Sequence, residues 1–223
     1  MEQLIINDSL TEDTISRYAQ EITAAEADEQ FGISGDVNFP FIDFSGKQKT
    51  YVIEGDVTVA EISISKQDWS PVNLIIDGNL TVQDTIDWSE WGNGSFLHVT
   101  GNITAKNVFL AGCPEVIVGG DLVVEHGIVG SQGDNGGSLI VFGKASAQVV
   151  YCTTYFGMEF PARPEAFVIA DEDDFLYDVD INESDYDAVI EKIVPECQPD
   201  DEGEINVYVI REFLREGKSI FVA

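Results

Sequence analysis

Between Tyr51 and Ala147 the chain alternates apolar and polar residues in short runs on either side of a glycine. It does so five times: YVIEGDVTV (51–59), LIIDGNLTV (74–82), LHVTGNITA (97–105), VIVGGDLVV (116–124) and LIVFGKASA (139–147). Alternation with period two predicts strands with one buried face. The pivots Gly55, Gly78, Gly101, Gly120 and Gly143 are separated by 23, 23, 19 and 23 residues, and a weaker copy, ISGDVNF around Gly35, lies 20 residues earlier. A fixed period near twenty is the mark of a solenoid, whose turns bury their apolar faces by stacking on one another. Aligned on the glycines, Tyr51, Leu74, Leu97, Val116 and Leu139 form one inward column, and Val57, Leu80, Ile103, Leu122 and Ala145 form another. Such columns stack with a rung every ~4.8 Å. A second short strand is expected after each pivot: EISI (61–64), DTIDW (84–88), NVFLA (107–111), HGIVG (126–130) and QVVY (148–151). The expected fold is an all-β core, a parallel β-helix of about six rungs.

The outward positions 52, 75, 98, 117 and 140 are Val, Ile, His, Ile and Ile. An apolar stripe of that length is expected to be covered, by a helix of the same chain or by a second subunit. On the amino-terminal side, SLTE from Ser9 reads as a capping box, and Ile15, Tyr18, Ala19, Ile22 and Ala25 follow at helical spacing. One helix over 9–30 is expected to cap the open end of the coil, where a strand edge would otherwise be exposed. Beyond Tyr151 the pattern breaks. FVIA (167–170) reads as a last strand, 184–194 as a helix stopped by Pro195, 205–216 as a helix ended by Gly217, and 219–223 as a final strand. The helix over 205–216 is apolar enough to dock on the coil, and the outward Val/Ile stripe is its expected seat. The expected organisation is a cap over 1–34, a solenoid over 35–165, and an acidic α/β appendage over 166–223.

Charge changes the picture more than composition does. There are 41 acidic residues against 11 basic ones, a net charge of −30. Like-charge repulsion opposes binding to nucleic acid and to anionic membranes and favours a basic partner. The charge is concentrated: residues 171–204 hold fifteen acids and one base, whereas 51–150, three times as long, hold twelve and three. The first residues carry no basic-then-apolar leader, and no apolar run reaches spanning length. Cys113, Cys152 and Cys197 are odd in number and scattered, which fits reduced thiols. A cytoplasmic protein is expected, a monomer or homodimer.

Candidate chemistry is sparse. A hexapeptide acyltransferase would need a six-residue rhythm. A polysaccharide lyase would need a basic residue beside paired carboxylates, and Lys66, Lys106 and Lys144 fall at unrelated places in the turn. His98 and His126 have no partner at metal-ligand spacing. Asp178, Asp180 and Asn182 open like a calcium loop, but Glu183 stands at the glycine position and Val189 at the bidentate glutamate. The glycine-rich SQGDNGGS (131–138) lacks the Lys-Ser/Thr ending of a phosphate loop. Cys113 and Cys152 have no histidine nearby in sequence to activate them. No catalytic residue, metal or cofactor is therefore expected.

The strongly acidic character is similar to that of the immunity proteins that bacteria pair with toxins. It is also similar to that of acidic β-helical pentapeptide-repeat inhibitors that mimic DNA, although their five-residue repeat is absent. This similarity implies a non-enzymatic binding module that neutralises a basic toxin or nuclease. Its surface would comprise Asp171, Glu172, Asp173, Asp174, Asp178, Asp180, Glu183, Asp185 and Asp187, joined by the loop tryptophans Trp69 and Trp91. The repeat texture over 35–150, with its Gly-Asp and Gly-Asn pivots, resembles bactofilin-type polymer-forming proteins, which implies the alternative of an end-to-end scaffold.

Overall fold

The computed structural model describes residues 3–35, 48–64, 72–90, 95–132, 137–153, 155–170, 176–177, 185–199 and 205–222. The chain opens with β1 (Leu4–Ile6), α1 (Glu12–Tyr18), β2 (Gln20–Ile22) and α2 (Ala24–Phe31). The first turn of the coil is β3 (Lys49–Glu54), β4 (Val57–Val59) and β5 (Ile62–Ser63); the second is β6 (Val72–Asp77), β7 (Leu80–Val82) and β8 (Thr85–Glu90). Later turns merge their last two strands. They are β9 (Phe96–Val99) with β10 (Ile103–Gly112), β11 (Glu115–Val118) with β12 (Leu122–Ser131), and β13 (Ser138–Val141) with β14 (Ala145–Cys152). Next come β15 (Gly157–Glu159), β16 (Glu165–Ala170), β17 (Leu176–Tyr177), α3 (Tyr186–Val189) and α4 (Val207–Arg215).

The result is a parallel β-solenoid of about five turns. One sheet runs β17-β15-β13-β11-β9-β6-β3-β2 and the other β1-β4-β7-β10-β12-β14-β16, with β5 and β8 continuing the second. The register is the one the aligned columns predict. Tyr51 pairs with Leu74, Leu74 with Leu97, Leu97 with Val116 and Val116 with Leu139. Beyond the pivot, Val57 pairs with Leu80, Leu80 with Ile103, Ile103 with Leu122 and Leu122 with Ala145. A one-residue slip would turn every apolar side chain outward, so the single core cluster through these columns fixes the pairing. The second sheet is itself interrupted, with register shifts at Ala105/Asn107, Val123/Gly127 and Ser146/Val149. The parity of inward residues changes there from Ala105 to Val108 and from Ala145 to Val150, whereas in β12 Val124 and Ile128 keep one parity across a longer insertion. Each turn therefore has three faces: one before the pivot, one after it, and a third after the bulge.

The pivot corner is stitched rung to rung. Gly101 N–H donates to Gly78 O (2.9 Å), Gly120 to Gly101 O (2.9 Å) and Gly143 to Gly120 O (3.0 Å). Of the five pivots only Gly55 has positive φ, at 93°. At the others space is the constraint: a Cβ on Gly143 would lie 2.4 Å from Gly120 O and 2.5 Å from Gly120 C. The residue after each glycine adds a second ladder. Asp56 Oδ1 accepts from Asn79 N, Asn79 Oδ1 from Asn102 N, Asn102 Oδ1 from Asp121 N, and Asp121 Oδ1 from Lys144 N, at 2.7–2.9 Å. The Gly-Asp/Asn pattern thus satisfies backbone N–H groups that the bend would leave without a partner.

At the amino-terminal end β1 extends the second sheet beside β4, Leu10 bridges to Ile62, and β2 runs antiparallel along β3. Ile6, Leu10 and Ile15 belong to the main core. The single helix expected over 9–30 is two short helices with a strand between them. The open edge of β3 takes Gln20–Ile22 as a partner, and that pairing outweighs helical continuation. Ser9 is not a cap; its hydroxyl bonds Glu61 (2.9 Å), while Thr11 with Thr14 and Thr23 with Glu26 form the capping boxes. Around Gly35 there is no strand either: Ile33–Gly35 is a 3-10 turn, and the rest of that weak copy lies outside the described residues.

Two layers cover the coil. Ala27 of α2, with Ile33, packs on Val52, Ile75, Phe96 and Ile117, so a helix of the same chain covers the outward apolar stripe. The carboxy-terminal segment takes the third face instead of that stripe. Val189, Ile193, Ile210, Leu214 and Ile220 pack on Phe109, Val129, Val149, Tyr151 and Ile169. Each such aliphatic side chain stabilises the docking by about 1.5–3 kcal/mol. The helix expected over 184–194 is shorter, α3 followed by a 3-10 turn over Ile190–Lys192. In place of the expected final strand, Phe221 makes an isolated bridge to Ile193.

Candidate binding site

α4 starts at Asn206, whose side chain accepts from Tyr208 N and Val209 N, and its buried face carries Ile210, Arg211 and Leu214. Arg211 is laid onto the third face and is 7% exposed. Its Nη1 donates to Ser89 Oγ (3.2 Å), and its Nη2 donates to Leu110 O (2.9 Å) and Ser131 Oγ (3.3 Å). Its Nε–H, also buried, has no partner among the described residues. One helical turn on, Arg215 pairs with Asp87, whose other oxygen accepts from Ser89 Oγ (2.8 Å). Both guanidinium groups lie over the Phe109 ring, at 5.5 and 5.0 Å from its centroid. Burial lowers the pKa of Arg211; Asp87 works against that shift and Arg215 with it.

Beside α4 is a cavity of about 270 Å³, lined among others by Ser89, Gln132, Tyr208, Arg211 and Arg215. Gln132 forms part of its wall in a left-handed backbone conformation, φ 59°, and its side-chain amide donates to Tyr208 OH (3.4 Å). A non-glycine residue held in that region is strained, and such strain concentrates at sites with a task. A second, smaller hollow of about 120 Å³ shares Asp87 and Arg215 with it.

A buried carboxyl stands elsewhere. Glu115 is on the outer side of the first sheet, between Phe96 and Ser138 in register, and is 8% exposed. Burial pushes its pKa up to about 7, and its Oε2 has no partner among the described residues.

Of the acidic residues expected to face a partner, Asp171, Glu172, Asp173, Asp174, Asp178, Asp180 and Glu183 lie outside the described residues, as do Trp69 and Trp91. In sequence, Trp69 falls between β5 and β6 and Trp91 between β8 and β9. Trp88, adjacent in sequence, is a fully buried core residue on β8. Asp187 lies in α3. Asp185 is engaged within the fold: its N–H donates to Val168 O (2.7 Å) and its carboxylate accepts from Val168 N (2.8 Å) and Arg163. It satisfies both polar groups of Val168 on the outer edge of β16.

The Arg211–Arg215 cluster is not evident in the sequence. The available signal was that two of eleven bases stand four apart in a chain with 41 acids. His98 packs edge-on against Phe31 and Phe96, and His126 lies beside Gln148 on another face. Cys113, Cys152 and Cys197 are buried and form no disulfide, and burial raises the Cys197 thiol pKa to about 11. Among the described residues no cluster of His, Cys, Asp or Glu could hold a metal, and no helix is long and apolar enough to cross a membrane. Comparison with protein-family models, with curated proteins and with solved structures finds no match to the chain.

Proposed function

We propose that the chain is a non-enzymatic protein-binding module that neutralises a basic protein, such as a toxin or nuclease, through its acidic surface. The observation that carries this reading is where the few cations go. Lys49 pairs with Glu21, Lys106 with Asp84, Arg163 with Asp185, Arg215 with Asp87 and Lys218 with Glu216, while Arg211 is buried. Five of these bases are paired with acids of the same chain and the sixth is buried, in a chain of net charge −30, so the exposed charge is predominantly acidic. A cationic partner would meet it at a steered, salt-sensitive rate.

Residues 9–30 serve as the cap of a coil of about six rungs. Two features favour a discrete monomer or homodimer over the end-to-end scaffold. β2 lies antiparallel on the edge that a further parallel rung would need, and Asp185 occupies the edge of β16. The protein acts without a cofactor and in the cytoplasm.

The test is rescue of growth. Co-expression with the product of a neighbouring toxin gene should restore growth and yield a complex that weakens as salt rises. If there is no rescue, and light scattering shows assemblies that lengthen with concentration, the scaffold reading replaces this one.

A further inference from the structure

We propose that the cleft between α4 and the third face binds a small oxyanion, a carboxylate or a phosphate, on Arg211 and Arg215. The donors there exceed the acceptors. Asp87 has both oxygens engaged, one by Ser89 and one by Arg215. Arg211 spends its contacts on two hydroxyls and a carbonyl, and keeps a buried Nε–H without a partner among the described residues. Arg215 bonds Asp87 through Nη2, is 42% exposed on its side chain and lines the cavity, so it keeps donors that no bond to Asp87 uses. Two guanidinium groups fixed over one aromatic ring are pre-organised for bidentate recognition of a planar or tetrahedral oxyanion. Gln132 and Tyr208 supply neutral polar groups to the same wall, and the strained backbone of Gln132 holds its amide there.

The volume limits the ligand. About 270 Å³ lies just under the roughly 300–1,000 Å³ of sites for drug-sized molecules, so a fragment-sized anion fits and a nucleotide does not. Overall charge opposes any anion, but beyond a Debye length of about 8 Å in physiological salt the distant acids are screened. The local opponents are Asp87, whose carboxylate is held by Arg215 and Ser89, and Glu212, an exposed acid on the rim of the cleft.

The test is a titration of the full chain with inorganic phosphate and, separately, with acetate, at ionic strength held constant with chloride. The Arg211 Nε–H resonance is followed by NMR. A saturable shift with either probe is expected at millimolar concentration or below; the probe that binds identifies the ligand class. Glu212→Gln, at an exposed position, should tighten binding several-fold, and Arg215→Gln should abolish it. No saturable shift with either probe, an equal shift with chloride alone, or a Glu212→Gln affinity identical to wild type would each overturn the proposal. Should Arg215→Gln fail to fold, the wild-type and Glu212→Gln titrations still decide.

Discussion

Replacing Glu115 by glutamine should stabilise the protein in a strongly pH-dependent way. The carboxyl sits on the outer side of the first sheet, walled by Phe96, and burial moves its pKa from 4.5 to about 7. In the unfolded chain it ionises near its ordinary value. Below about pH 4 both states hold the proton and the site contributes nothing to pH dependence. As pH rises from 4.5 to 7 the unfolded chain releases the proton while the folded protein retains it, so stability is lost over that window. Above pH 7 the loss levels off. A tenfold difference in proton affinity between the two states is worth about 1.4 kcal/mol, so the loss approaches ~3 kcal/mol at pH 8 but is below ~1 kcal/mol at pH 5. Glutamine keeps the shape without the ionisation. The difference in unfolding free energy between Glu115→Gln and wild type should therefore grow by about 2.5 kcal/mol between pH 5 and pH 8. Urea denaturation of both proteins at four pH values across that range measures it, and other titrating groups cancel in the difference. A difference that stays flat, or falls as pH rises, would refute the reasoning.

Three further outcomes test the packing. Gly143→Ala drives a Cβ into the Gly120 backbone and should cost about 1–3 kcal/mol, whereas Gly157→Ala, with its nearest neighbour at 3.6 Å, should be neutral or stabilising by some tenths; thermal unfolding distinguishes them. Arg211→Met fills the same space but leaves Ser89 and Ser131 without their donor and should lower stability by about 2–4 kcal/mol, with limited proteolysis cutting first ahead of α4. Asp185→Ala removes the acceptor for both Arg163 and Val168 N, so amide exchange at Val168 should speed up well before global unfolding, which hydrogen-exchange mass spectrometry resolves.

Most of the coil was legible because its strands have one buried face, and a period of two then fixes both fold and register. Tyr51–Leu74–Leu97–Val116–Leu139 could be aligned by eye, and the structure pairs them in that order. The third face was harder to read because it is buried on both sides. In VFLAG (108–112) and in VVYC (149–152) both parities are apolar, which erases the alternation and is itself the sign of a covered sheet. Over 9–30 the local signals are helical, but the edge of β3 offers Gln20–Ile22 backbone partners that no local pattern encodes. The cleft at Arg211 depends on Asp87, Ser89 and Ser131, which stand 80 to 124 residues away in the chain and meet it only because α4 crosses the face.

The one irregular step of the repeat has a wider consequence. Between Gly101 and Gly120 the chain passes from β10 to β11 through Cys113 and Pro114 alone, while the other turns spend more residues at the same crossing. Three of the four residues removed come out of that crossing and the fourth out of the bulge within β10, where the register shifts at Ala105/Asn107. Length thus varies mainly at one edge of the coil, and by single residues at the bulge. The coil thus behaves as a chassis: the crossing between its faces changes length while the stacked columns Leu97–Val116–Leu139 on either side hold their register.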